Sequence, residues 1–155
     1  MSDDIEKESV DFKIMLGSEY FNDAPKFELL IDDELIESGS VSEQTRLRFT
    51  RDLAEGEHVI KIRLIGKQPK HTQITDDGVV YRDQIINIEQ IEIDEIELDH
   101  LFYNLSEYYK QVNVKNKQPV FNETPEPEKY VNIGWNGEYR LKFNVPTYMW
   151  FLENL

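Results

Sequence analysis

The fold turns on fifteen residues, Ile85–Asp99, IINIEQIEIDEIELD, in which every side chain is aliphatic, acidic or an amide. Ile86 and Ile88 share one parity, Ile91 and Ile93 the other, and Ile96 and Leu98 return to the first. Strand side chains alternate between faces, so each change of parity marks an inserted residue or a tight turn, here at Glu89-Gln90 and at Asp94-Glu95. The stretch therefore reads as a bent strand or a strand-turn-strand, with isoleucines inward and carboxylates toward water.

Upstream, the same alternation recurs at even spacing. Phe12, Ile14 and Leu16 form a short strand ending at Gly17. PKFELLIDDELIESGSV makes a hairpin: Phe27, Leu29 and Ile31 lead into an Asp32-Asp33-Glu34 turn, and Leu35, Ile36 and Val41 return. Leu47 and Phe49 alternate with arginines within Thr45–Leu53, and HVIKIRLIG is a strand that stops at Gly66. Five strand signals before residue 70 predict a mostly β, jelly-roll-like antiparallel β-sandwich rather than βαβ units.

Downstream, Leu98, Leu101, Phe102, Leu105, Tyr109 and Val112 recur at three and four residues behind Asp99, which predicts a short helix near 99–110. The proline-rich stretch at about 113–130 reads as an extended loop. Asn136-Gly137 signals a two-residue hairpin turn, with Ile133 and Trp135 before it and Tyr139, Leu141 and Phe143 after it. Pro146, followed by Tyr148, Phe151, Leu152 and Leu155, predicts a C-terminal helical turn docked on the sandwich. Residues 1–10 are polar and lack periodicity, so the expected organisation is a flexible acidic arm followed by a single domain over 11–155.

Seventeen basic against 31 acidic side chains give a net charge of -14. That balance repels phosphate backbones and anionic lipid, so neither nucleic acid nor membrane insertion is expected. The absence of cysteine removes disulfides and thiolate chemistry. The start, MSDDIEKESVDF, is acidic where a signal peptide is basic and then apolar.

No metalloprotease, nucleophile-elbow, phosphate-loop or dinucleotide motif is present. His58, His71 and His100 stand alone in sequence and read as surface or capping residues, because a catalytic histidine needs an ordered partner. Hard-oxygen clusters occur at Asp32-Asp33-Glu34, at Asp76-Asp77 with Asp83, and at Asp94-Glu95. Calcium takes roughly six to eight oxygens from irregular loops, so Asp76, Asp77 and Asp83, which flank a turn, are the first metal candidates. Aromatic residues make up 12% of the chain. Their rings stack on the apolar faces of sugars, which makes Trp135, Tyr139 and Tyr81 the ligand-binding candidates and core packing their alternative role.

From Phe12 to about Tyr103 the chain resembles the small calcium-dependent carbohydrate-binding modules of the xylan-binding type. The features that match, in order, are an opening strand, the hairpin PKFELLIDDELIESGSV, the turn and strand LAEGEHVIKIRLIG, and the closing RDQIINIEQIEIDEIEL. This chain has DDE where the family's first hairpin usually has DDG. The ending NIGWNGEYRLKFNVPTYMWFLENL is similar to that of proteins encoded by large tailed bacteriophages. Together the two resemblances imply a non-enzymatic accessory protein of a tailed-phage virion, decorating or adhering at capsid or tail, with other virion proteins and host-surface polysaccharide as partners. They also imply calcium as a cofactor. The alternative they leave is a stand-alone calcium-dependent carbohydrate-binding module.

Overall fold

The computed structural model describes residues 6–154. In chain order it contains β1 (Lys7–Glu19), β2 (Lys26–Ile31), β3 (Glu34–Ser40), β4 (Thr45–Ala54) and β5 (Gly56–Ile65), then a 3-10 turn (Pro69–His71). There follow β6 (Gln73–Ile74), β7 (Val80–Arg82), β8 (Ile85–Ile93), β9 (Ile96–Glu97) and α1 (Leu101–Asn104). The chain continues with β10 (Ser106–Lys115), β11 (Gln118–Phe121), β12 (Asn132–Ile133), β13 (Gly137–Val145) and α2 (Thr147–Asn154). Among these residues no helix is long and apolar enough to cross a membrane.

Two antiparallel sheets face each other. One has the order β12-β8-β1-β4 with β9 paired to β8, and the other β11-β10-β13-β5-β2-β3. β6 and β7 form a separate small hairpin. Period-two alternation builds the core between the sheets: Val10, Phe12, Ile14 and Leu16 of β1 and Ile86, Ile88, Ile91 and Ile93 of β8 meet Ile60, Ile62 and Leu64 of β5 and Leu141 and Phe143 of β13. Each such side chain contributes roughly 1.5–3 kcal/mol relative to remaining exposed. The rings of Phe12 and Phe143, from opposite sheets, touch edge to face at 5.7 Å.

Both parity changes in Ile85–Asp99 have structural causes. Against β1, Met15 pairs with Gln90 and Leu16 with Ile88, so Glu89 is the extra residue of a bulge. A side chain at position 17 would collide with the Glu89 carboxylate, and glycine there lets Glu89 pass across β1 to accept a 2.6 Å bond from Gln44 Nε2. At the second change, Asp94 and Glu95 both have positive φ, 51° and 67°, and turn β8 back into β9. Ile96 is exposed, which corrects the expectation that every isoleucine of the stretch faces inward.

Four further expectations are corrected. Residues 7–10 are strand, not arm: their backbone pairs with β4 and Val10 is fully buried, which side-chain polarity does not reveal; residues 1–5 lie outside the described part. Helix covers only Leu101–Asn104, and Ser106–Lys115 is a strand paired with β13. The helical spacing beyond Leu101 buried little, since Leu105 and Val112 are exposed, and sheet pairing overrode it. The stretch read as a loop begins inside β10 and continues through β11, the two joined by Asn116-Lys117 with φ of 50° and 64°. Finally, Asn136-Gly137 is not a hairpin turn, because β12 pairs with β8 in one sheet and β13 with β10 and β5 in the other. Residues 134–136 carry the chain from one sheet to the other.

The C-terminal helix docks through Trp150 and Phe151, with the Trp150 ring against Phe143, while Tyr148 and Leu152 face outward. Leu155 lies outside the described residues.

Candidate functional site

The crossing segment 134–136 forms one wall of a cleft of about 510 Å³ at one end of the sandwich. Its other walls come from the loop after β5, the β6–β7 hairpin and its exit at Asp83, and the loop that ends in Tyr130 and β12. That volume lies in the usual range of small-ligand sites.

The crossing is tied to the loop after β5 by Asn136, whose Oδ1 accepts from Lys67 N and whose Nδ2 donates to Lys67 O, both at 2.9 Å. The ammonium of Lys67 then donates to Asp83 Oδ1 and to Gly134 O, each at 2.5 Å. Asp83 Oδ1 also accepts from Thr72 Oγ1 at 2.7 Å and from Gln84 N at 2.9 Å. Burial works to raise the pKa of Asp83, and the donors Lys67, Thr72 and Gln84 N more than offset it, so its pKa lies below the ordinary carboxylate value. Its second oxygen, Oδ2, lies toward Gly134, 3.6 Å from where a Cβ would stand.

Trp135 projects from the crossing with 46% of its surface exposed. Tyr130 meets it edge on at 5.4 Å and the Lys110 ammonium lies 4.3 Å from a ring centroid. The Trp135 carbonyl accepts a hydrogen bond from the hydroxyl of Tyr108, a core residue. Burial of Tyr108 pushes its pKa well up, so the hydroxyl remains a donor across the ordinary pH range. Gln68 and Asn132 add two side-chain amides to the lining. The cleft thus combines an aromatic surface with amide, carboxylate and ammonium groups, which can stack on an apolar ring face and hydrogen-bond the hydroxyls around it.

Of the residues singled out from sequence, Trp135 and Asp83 meet in this cleft. Tyr139 does not: it is fully buried, and its hydroxyl donates to Phe102 O. It shares the parity of Leu141 and Phe143 on β13, and that parity points into the core. Tyr81 is exposed on β7, bonded to Gln73, and is not part of the cleft lining. Asp76 and Asp77 occupy the exposed tip of the β6–β7 hairpin.

Among the described residues no three His, Cys, Asp or Glu side chains are grouped to hold a metal ion. Asp76, Asp77 and Asp83 therefore do not fit calcium, which needs several oxygen ligands at one point, and Asp83 Oδ1 already faces an ammonium. The other acidic clusters serve turns. Asp32 accepts from Val59 N and faces His58, Asp33 bonds Lys61, and Glu34 bonds Arg51. Asp94 accepts from Asp11 N and from Thr147 Oγ1.

Sequence reasoning missed Lys67, Thr72, Asn132 and Tyr130. The first three sit in stretches without periodicity, and their partners are distant in the chain. Asn136 was visible only as half of a turn dipeptide.

Comparison with known proteins adds one structure. No protein-family model matches the sequence, and no curated protein matches it. A solved structure of a carbohydrate-binding module, the selenomethionine form of vCBM60, is similar with a TM-score of 0.49 at 10% identity, over 85% of this chain and 89% of that one. Its description concerns circular permutation as a link between two families of calcium-dependent carbohydrate binding modules.

Proposed function

We propose that this protein is a non-catalytic carbohydrate-binding module whose site is the Trp135 cleft. The observation that carries the reading is the position of a half-exposed tryptophan beside Asn132, Gln68 and the open oxygen of Asp83 in one concavity. A sugar ring presents apolar C–H faces and a polar rim, and such a site matches both. The same resemblance of the C-terminal sequence that suggests a tailed-phage origin makes attachment to a virion, and host-surface polysaccharide as the ligand, part of the proposal.

A glycan array followed by titration calorimetry tests it. Binding to at least one polysaccharide is expected, with a loss of about tenfold or more for Trp135→Ala, since buried aromatic anchors at interfaces contribute about 2 kcal/mol or more. An array without signal, in calcium and in chelator alike, would end the reading. Mass spectrometry of purified particles tests the virion part, and absence of the chain from them would refute it.

A further inference from the structure

Around the Lys67 ammonium the oxygens converge as they do around a small cation. Asp83 Oδ1 and Gly134 O each lie at 2.5 Å, and the Lys67 side chain is only 10% exposed. The contacts join three segments that are remote in sequence: the loop after β5, the exit of β7, and the crossing between sheets. Asn136 fixes the Lys67 backbone on both its N–H and its C=O, so the ammonium is held from its root as well as its tip. An ammonium has three N–H donors. Two are used here, and the third has no acceptor among the described residues, while Lys67 lines the cleft.

We infer that Lys67 is the resident cation of this cleft: its ammonium holds the three segments together and presents its remaining N–H to a ligand hydroxyl, so the site forms and binds without a divalent metal. Among the described residues Asp83 is the only acidic one lining the cleft, and its Oδ1 receives three donors, one of them charged. A divalent ion at that oxygen would have to displace the lysine and would find one carboxylate and one carbonyl, far short of the roughly six to eight oxygens calcium takes. The ligand half of this inference rests on the carbohydrate reading; the stability half does not.

The test uses the full chain and needs no sugar for its first arm. Melting temperatures are measured in millimolar calcium chloride and in chelator for the wild type, Asp83→Asn and Lys67→Met. The expected result is the same calcium-minus-chelator difference in wild type and Asp83→Asn. Lys67→Met is expected to lower the melting temperature by roughly 5 °C or more and to alter Trp135 emission, because it leaves the Asp83 carboxylate without its only charged donor and Gly134 O without Lys67. Calcium stabilisation present in the wild type and lost in Asp83→Asn would overturn the inference. So would a Lys67→Met protein with wild-type melting and emission. In the second arm, a polysaccharide found on the array should bind equally in chelator, and at least about tenfold more weakly to Lys67→Met if that variant folds. Loss of binding in chelator would assign the cation's role to a metal instead.

Discussion

Gly137→Ala puts the link between core and cleft to a direct test. Gly137 opens β13 between Lys110 of β10 and Leu64 of β5, with ordinary strand geometry rather than a left-handed turn. A methyl group there would stand 2.5 Å from the Tyr108 hydroxyl and 2.6 Å from Tyr109 O. The hydroxyl can move, at the expense of its bond to the Trp135 carbonyl. The backbone oxygen moves only if β10 shifts. Overpacking of this kind costs about 1–3 kcal/mol, and the lost hydrogen bond about 1 kcal/mol more. For a chain of 155 residues, a total near 2–4 kcal/mol corresponds to a fall in melting temperature of about 4–16 °C. Thermal unfolding followed by tryptophan emission reads both effects, because Trp150 is buried 5% exposed against Phe143 whereas Trp135 reports on the crossing. Adding Tyr108→Phe should recover only the hydroxyl's share, since Tyr109 O and the ring carbon Cζ, 2.7 Å from the methyl, remain in the way. A Gly137→Ala protein that melts within about 1 °C of wild type, with unchanged emission, would refute the reasoning.

Two further changes probe the framework. Glu138, 1% exposed, lies 2.6 Å from Arg63 Nε and 2.5 Å from Arg140 Nε on the outer face of the six-stranded sheet. Glu138→Ala removes the carboxylate that Arg63 and Arg140 share, leaving Arg63 only Glu28 at 3.2 Å, and should cost about 3 kcal/mol in urea unfolding; a loss below about 1 kcal/mol would contradict that account. His58 faces two acceptors, Asp32 Oδ2 at 2.8 Å from Nδ1 and Ala54 O at 2.7 Å from Nε2, so the imidazolium satisfies both. Burial opposes protonation there, but Asp32 and the Ala54 carbonyl outweigh it and raise the pKa above the ordinary 6.5. The stabilisation is then complete below about pH 6.5 and declines as pH rises through the folded value, and a pH series of unfolding free energies should show a decline that His58→Gln removes.

What was legible in the sequence followed from burial with a fixed period. The two breaks in Ile85–Asp99 were visible because a strand packed on one face cannot slip by one residue without exposing its isoleucines, and Glu89 and Asp94-Glu95 are where the structure inserts them. Tyr139 was equally legible as core, through its parity with Leu141 and Phe143, and chemistry-led reading misplaced it. The region after Leu101 misled because apolar spacing implies a helix only if the residues are buried together, and Leu105 and Val112 are not. Gly137 misled in another way: glycine permits both a left-handed turn and a close approach, and only the partner strand decides between them. Of the cleft, the aromatic and the carboxylate could be found as residue types. The lysine that joins their loops could not, because Lys67, Asp83 and Gly134 share no spacing, only a place in space.

β1, at the front of the described chain, is flanked by β8 and β4, and β13, near its end, is flanked by β10 and β5. Each sheet therefore depends on an inner strand taken from one extremity of the sequence. A nascent chain emerges from its first residue, so β1 must wait for β4 and β8, and the second sheet has nothing to close on until residue 145 is available. Contacts of such long sequence separation make folding slow and late rather than progressive. Until then the edge of β5 from Gly56 to Leu64 has no β13 to pair with, and its backbone groups stand open. The interval between the synthesis of β5 and that of β13 is thus the period in which this chain is most open to misassociation, and in which a chaperone would find most to hold.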